Sequence, residues 1–239
     1  GSANAGGAEV IQRGGQGAWH GNGQFFWQSE KLNSGRRFAS NKPPYQERQS
    51  SFDFSGPLLP GRLTAGLSGS QNESKNVDAV RATLADGRIL SLGITKPSII
   101  RTINSRGTLQ VSDSNSLTYN FSYQTNNSEN NGAGGFVLPE RAATVTGSIY
   151  TVELKQFASL SNRSIFENGF NFTRNKSKNV PVTSGVRINV TEAFSSGGAQ
   201  SDSDATNDTY TFNNRYTRLG EKLTIKTGLD GIWRRNHSI

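Results

Sequence analysis

The side chains of this 239-residue chain that could do chemistry are few and scattered. Its two histidines, His20 and His237, lie near opposite ends, and it has no cysteine. Zinc needs three or four converging ligands, so each histidine reads as a lone polar position, with His20 on the polar parity of an alternating run. Asp202, Asp204 and Asp208 have the spacing of a calcium loop. The glycine of the sharp turn and the closing glutamate are missing, however, and the segment reads as a solvated acidic loop tip. Glu140 and Glu153 are carboxylates of the kind a glycosidase pairs across a scissile bond. Nothing in the sequence brings them together, and they read as independent polar positions. Serine is abundant, but no Gly-x-Ser-x-Gly elbow follows a strand. Asn131-Gly132-Ala133-Gly134-Gly135 and Ser195-Ser196-Gly197-Gly198 are glycine-rich yet lead into no helix, so they are not phosphate loops. The expectation is a protein with no catalytic, cofactor-binding or metal-ligating residue, no cofactor and no enzyme activity.

The elements that carry these side chains are legible from alternation. In Asp208 to Arg235, Tyr210, Phe212 and Tyr216 share one parity against Thr211, Asn213, Arg215 and Thr217. Leu223, Ile225, Leu229 and Trp233 share another against Lys222, Thr224, Lys226 and Asp230. A strand sends successive side chains to opposite faces, so each run has one apolar and one strongly polar face. The turn at Leu219-Gly220-Glu221 joins them as a hairpin. The pattern recurs over 16–28, 46–56, 62–71, 101–112, 117–124, 148–160 and 164–174, which predicts about nine strands. Connections alternate in length: short at 57–61, 113–116, 161–163 and 218–221, long at 29–45, 72–100, 125–147 and 175–207. That sorting predicts an all-β, antiparallel up-and-down meander forming a partial wall of a large transmembrane β-barrel. Phe121, Tyr123, Phe170, Phe172, Leu223 and Ile225 are expected on the convex, lipid-facing side. Thr118, Asn120, Glu153, Lys155, Lys222 and Thr224 are expected on the concave one. Trp19, Trp27, Tyr45, Tyr123 and Trp233 are expected at the headgroup boundary.

Composition agrees. Only 32% of residues are hydrophobic, yet there are 13 Phe, 6 Tyr and 3 Trp. Disordered chains lack aromatics, whereas a barrel wall needs apolar residues only at alternate positions. No run approaches the 18 apolar residues of a transmembrane helix. The net charge of +8 invites a nucleic-acid reading. The basic residues are dispersed among Asn, Ser and Thr, with adjacent pairs only at Arg36-Arg37 and Arg234-Arg235, so no nucleic-acid partner is expected. The chain opens without methionine, and the expectation is a piece of something longer. Nine strands are about two fifths of a 22-stranded wall around a plug.

Several segments carry a resemblance. Ala5-Gly6-Gly7-Ala8-Glu9-Val10-Ile11 looks like the end of a plug domain. Gly14-Gly15-Gln16-Gly17-Ala18-Trp19-His20-Gly21 resembles the segment that enters a first barrel strand. Phe25-Phe26-Trp27 with Leu32-Asn33, and Pro43-Pro44-Tyr45 through Phe52-Asp53-Phe54-Ser55-Gly56-Pro57-Leu58, are similar to the strands that follow. The order resembles that of TonB-dependent outer-membrane receptors, of the type with a carboxypeptidase-regulatory-like N-terminal domain. The resemblance implies that residues 1–15 are the end of the plug and its linker. It makes 16–239 the N-terminal part of the barrel, in the bacterial outer membrane. The implied function is active import of a bulky solute, a metal chelate or an oligosaccharide. The implied partners are outer-membrane lipid, the remaining barrel and plug, TonB through the parent protein, and a small solute. The TonB box and closing strand have no counterpart here, so this piece alone is expected to be neither gated nor energised. The alternative from a different class is a soluble all-β cell-surface binding or adhesin module, and a carbohydrate-active enzyme is a more distant one.

Overall fold

The computed structural model describes residues 17–29, 31, 46–199 and 201–238. The plug-end segment, Arg36-Arg37, Leu32-Asn33 and Tyr45 lie outside these residues. Nine strands run in sequence: β1 (His20–Ser29), β2 (Gln46–Leu59), β3 (Leu63–Thr83), β4 (Ile89–Ser112), β5 (Asn115–Asn131), β6 (Ala143–Ser161), β7 (Ser164–Pro181), β10 (Ser203–Leu219) and β11 (Thr224–Ser238). Between β7 and β10 a small separate hairpin pairs β8 (Ile188–Val190) with β9 (Phe194–Ser196). The large sheet has the order β1-β2-β3-β4-β5-β6-β7-β10-β11, each strand antiparallel to its neighbours. This is the predicted open meander, with β1 and β11 as its two edges.

The strands exceed their apolar stretches, and here the sequence reading is corrected. The long connection expected over 72–100 is a continuous ladder, from Leu63 paired with Leu109 to Thr83 paired with Ile89. Its only turn is at 84–88, where Asp86-Gly87 supplies the tip and Gly87 takes a φ of +81°. Alternation fades there because both faces of the hairpin sit beyond the apolar band, and backbone pairing needs no side-chain pattern to continue. The expected loops over 125–147 and 175–207 likewise begin and end as strand. Lys222 and Leu223 are not in a strand. They form the last turn, closed by the Gly220 amide donating to the Leu223 carbonyl at 2.9 Å. The other short turns fall where expected, each with a register shift beside it: Pro57/Leu59, Gln110/Ser112 and Ser159/Ser161.

Directly paired residues share a face, so the register sorts the sheet into rows. One row reads Phe54, Leu67, Ser105, Phe121, Val152, Phe172, Tyr210 and Trp233. The next toward the turns reads Gly107, Tyr119, Leu154, Phe170 and Phe212. The opposite face carries Asp53, Ser68, Asn104, Ser122, Thr151, Thr173 and Thr209 in one row. Phe121, Tyr123, Phe170, Phe172 and Ile225 share the apolar face as expected, and Thr118, Asn120, Glu153, Lys155 and Thr224 the polar one.

Little of this sheet is a core. The large apolar side chains on it are half-buried or open, with Phe25 74% and Leu229 76% exposed. The buried apolar cluster lies elsewhere, beneath the loops at the end of the β3–β4 hairpin: Val80, Ala82, Ile94, Ala133, Leu138 and Ala142.

Candidate functional site: a two-faced wall and a pocket under its loops

The apolar face is knit by an aromatic ladder across five strands. Phe121 meets Tyr150 edge-on with centroids 5.3 Å apart, and Tyr150 meets Phe172 at 5.9 Å. Phe172 then lies 4.7 Å from Tyr210, which stacks on Trp233 at 4.9 Å. At the far edge Trp19 stacks on Phe54 at 4.7 Å. Such pairs add to the area they bury. They also leave a broad apolar surface that no second layer covers among the described residues.

Polar groups bound this band at both ends. Toward the turns an amide chain crosses four strands: Gln156 donates to Asn115 at 3.3 Å, Asn168 to Gln156 at 3.1 Å and Asn214 to Asn168 at 2.6 Å. Toward the loops the same parity turns charged. Arg174 grips Asp208 with two bonds, of 2.7 and 2.9 Å, and its guanidinium lies over the Phe172 ring. On the same face Arg101 of β4 lies one row nearer the loops than Arg174, and Arg48 of β2 two rows nearer. On β5 the apolar stretch lies between Asn115 and Thr125. Ten residues of strand are roughly 33 Å long, and at a tilt of about 40° they rise about 25 Å, the height of a barrel's lipid-facing band.

The opposite face is a hydrogen-bonded polar lining. Asn120 donates to Glu153 at 2.8 Å, and Lys155 pairs with the other carboxylate oxygen at 2.8 Å. His20 Nδ1 donates to the Ala18 carbonyl at 3.1 Å, so its Nε2 accepts from the Ser55 hydroxyl at 2.8 Å. His237 sits at the loop end of β11 on the other parity, so the two histidines are separated by the full width of the sheet. Asp204 and Asp208 are strand residues of β10, and Asp208 is committed to Arg174. Glu140 lies in a single 3-10 turn in the loops while Glu153 is mid-strand. Among the described residues no three His, Cys, Asp or Glu side chains converge as a metal site.

The glycine-rich segments that sequence reasoning left without a role build the loop cluster. Gly135 adds to the free edge of β3, donating to Ala79 at 2.9 Å and accepting from Arg81 at 2.8 Å. Leu138 donates to Ser195 and Ser195 to Phe136, both at 2.9 Å. Arg141 Nη1 reaches the Ser195 hydroxyl at 2.9 Å. Gly134 takes a φ of +132°, beside Asp78 and Lys96, which themselves pair at 2.6 Å. The loops thereby fold over the polar face rather than away from it. Leu138 and Ala142 cover Val80 and Ile94, whose parity is that of the polar face.

Under these loops lies a pocket of about 590 Å³. Its floor is Val145 and Asn179, a directly paired couple on the polar face of β6 and β7. Phe136, Phe194, Arg141 and Arg187 line its sides. Asn179 Oδ1 and Arg141 Nε are buried polar atoms with no protein partner. A buried polar atom in that state is a binding opportunity. The signal missed in the sequence was Asn-Gly-Ala-Gly-Gly followed by apolar Phe136, Val137 and Leu138, which marks a packed loop rather than an open one.

No protein-family model matches the sequence, and no curated protein matches it. Among solved structures, the chain is similar to the crystal structure of the outer membrane transporter YddB from Escherichia coli, with a TM-score of 0.59 and 13% identity. The match covers 82% of this chain and 26% of the transporter, so the chain spans about a quarter of that protein's length. At that identity the likeness concerns the fold: the nine-stranded meander has the form of a stretch of an outer-membrane barrel wall.

Proposed function

We propose that this chain is part of the barrel wall of a bacterial outer-membrane transport receptor. It would import a bulky solute, a metal chelate or an oligosaccharide, with a plug that gates the lumen and TonB that energises it. The observation that carries the reading is the sheet's division into faces. One is an aromatic band of about membrane height, uncovered among the described residues and bounded by amides and by charges, and the other a mainly polar lining. An open hydrophobic face of this extent is far larger than monomeric soluble proteins present, and lipid is the solvent that suits it. The pocket over Val145 and Asn179 lies at the loop end of the polar side, the entrance to the lumen in this arrangement. Its two phenylalanines offer flat apolar surface, and its arginines and amides offer directed donors. The protein acts by capture and passage rather than by catalysis.

The test is uptake by cells that carry the whole receptor, using labelled metal chelates and oligosaccharides too large for passive pores. Accumulation that stops when the proton-motive force is collapsed supports the reading. Arg141→Gln should raise the solute concentration needed for half-maximal uptake, and leave the maximal rate unchanged. Uptake indifferent to both treatments for every solute tried would remove the receptor assignment.

A further inference from the structure

The apolar face is not uniformly filled. A groove of about 390 Å³ runs over Gly69, walled by Phe52, Ile103 and Tyr123 and ending at Arg101. All of these share one parity, in two adjacent rows: Gly69 beside Ile103 beside Tyr123, then Gln71 beside Arg101 beside Thr125. Gly69 makes the groove. A Cβ there would lie 2.5 Å from the Phe52 ring, so any side chain would displace that ring. Arg101 closes the groove at its loop end, its Nε donating to the side-chain Oε1 of Gln71 at 2.8 Å. That bond fixes the guanidinium plane and leaves Nη1 and Nη2 without a protein partner among the described residues. One row nearer the loops Arg48 pairs with Glu73 at 3.9 Å, and Glu73 also meets Lys75 at 3.4 Å, so that group adds one net positive charge beyond Arg101.

We infer that this groove is a binding site for one phosphate-bearing lipid of the outward-facing leaflet, with an acyl chain along Gly69 and the phosphate on Arg101. The inference rests on the membrane reading above. A hydrophobic slot capped by a pre-oriented guanidinium matches a lipid in both parts: chain in the slot, phosphate oxygens on the two free nitrogens. The site lies at the loop end, which is the outward end of such a barrel.

Lipid retention tests it, read by native mass spectrometry of the whole barrel in a neutral detergent. The probes are dioleoylphosphatidylglycerol, dioleoylglycerol with the same chains and no phosphate, and glycerol phosphate with no chains. The wild type should retain the first most strongly and the last least. Arg101→Gln should weaken phosphatidylglycerol about fivefold, the effect of one basic side chain at an anionic lipid surface. Arg101→Lys should recover part of that, and neither should change dioleoylglycerol. Gly69→Leu should weaken both lipids, because its side chain displaces the Phe52 ring that walls the slot. Equal retention of the two lipids by the wild type, or an Arg101→Gln barrel that holds phosphatidylglycerol as the wild type does, would overturn the site. Flotation of the wild-type barrel with phosphatidylcholine vesicles separates the two claims. Its loss would strike the membrane reading, whereas flotation with unselective lipid retention would strike the groove alone.

Discussion

Replacing Leu138 by alanine should open the loops without touching the wall beneath. Leu138 is 6% exposed and packs with Val80 and Ala142, both at 0%. Truncating a buried leucine to alanine costs about 2–5 kcal/mol, from lost transfer energy plus the cavity left behind. The cluster is small and one side of it is loop, so it relaxes well, and a value near ~3 kcal/mol is expected. At about 1.4 kcal/mol per tenfold, the loops' opening constant rises roughly a hundredfold. The reporters are the amides that hold the cluster: Gly135 to Ala79, Leu138 to Ser195 and Ser195 to Phe136. Hydrogen–deuterium exchange on the whole barrel should show these amides exchanging about a hundred times faster. The amides of the Phe121–Val152 neighbourhood, mid-sheet between β5 and β6, should stay within a factor of about two. Acceleration spread evenly through β5 and β6 would show that loops and wall open together, and the separate-cluster argument would fail. No acceleration at all would mean that Leu138 stabilises nothing.

Three further outcomes follow from the geometry. Arg174→Met should lower the unfolding midpoint of the refolded barrel in urea, because Asp208 keeps its charge beside an apolar band after losing both guanidinium bonds. Adding Asp208→Asn should recover most of the loss, and a double variant worse than the single one would contradict this. Gly107→Val should cost about 1–3 kcal/mol in the same assay, since a Cβ there would strike the Tyr119 ring and meet the Thr64 carbonyl at 2.9 Å. At the β3–β4 tip, the Arg88 amide and then its guanidinium hold the Asp86 carboxyl below its ordinary pKa. The folded value is depressed, so the tip's contribution is present above about pH 3.9 and is lost as pH falls through the lower folded value. A chemical-shift titration of the Arg88 amide should show a midpoint below that of an unpaired aspartate and no such step in Asp86→Asn.

The strands, their order and their faces were legible in the sequence because side-chain period and backbone pairing report the same thing where one face is apolar and the other polar. Phe121 and Phe172 could be placed on one surface from parity alone. The signal weakened where the apolar band ends. From Asn72 to Thr83 hydrophilic residues dominate both parities, and the strand reads as a loop although its ladder is unbroken. Asp86-Gly87 marked the turn, but the flanking pattern gave no reason to look for one. Lys222 and Leu223 fit the alternation of β11 yet lie in its turn, since parity does not say where pairing stops. The pocket was invisible for another reason. It joins residues 131–145 to 179–201 through backbone bonds such as Leu138 to Ser195, and tertiary pairing between two glycine-rich loops leaves no period to read.

The central claim is that alternate residues of one strand face lipid and lumen. Residues 1–239 contain no cysteine, so single cysteines can be placed at successive positions of β5 and β7 in a barrel whose other segments are kept free of cysteine by serine replacement where needed. Thr118 to Tyr123 and Phe170 to Thr173 should each be labelled, in the whole barrel reconstituted in vesicles, with an environment-sensitive fluorophore. At positions 119, 121, 123, 170 and 172 the emission should be blue-shifted and quenched by lipid-borne quenchers. At 118, 120, 122, 171 and 173 it should be red-shifted and quenched by aqueous iodide. A uniform aqueous signal at both parities, or a chain that stays monomeric in plain buffer with the aromatic set shielded from both quenchers, would contradict the membrane wall and favour a soluble cell-surface module.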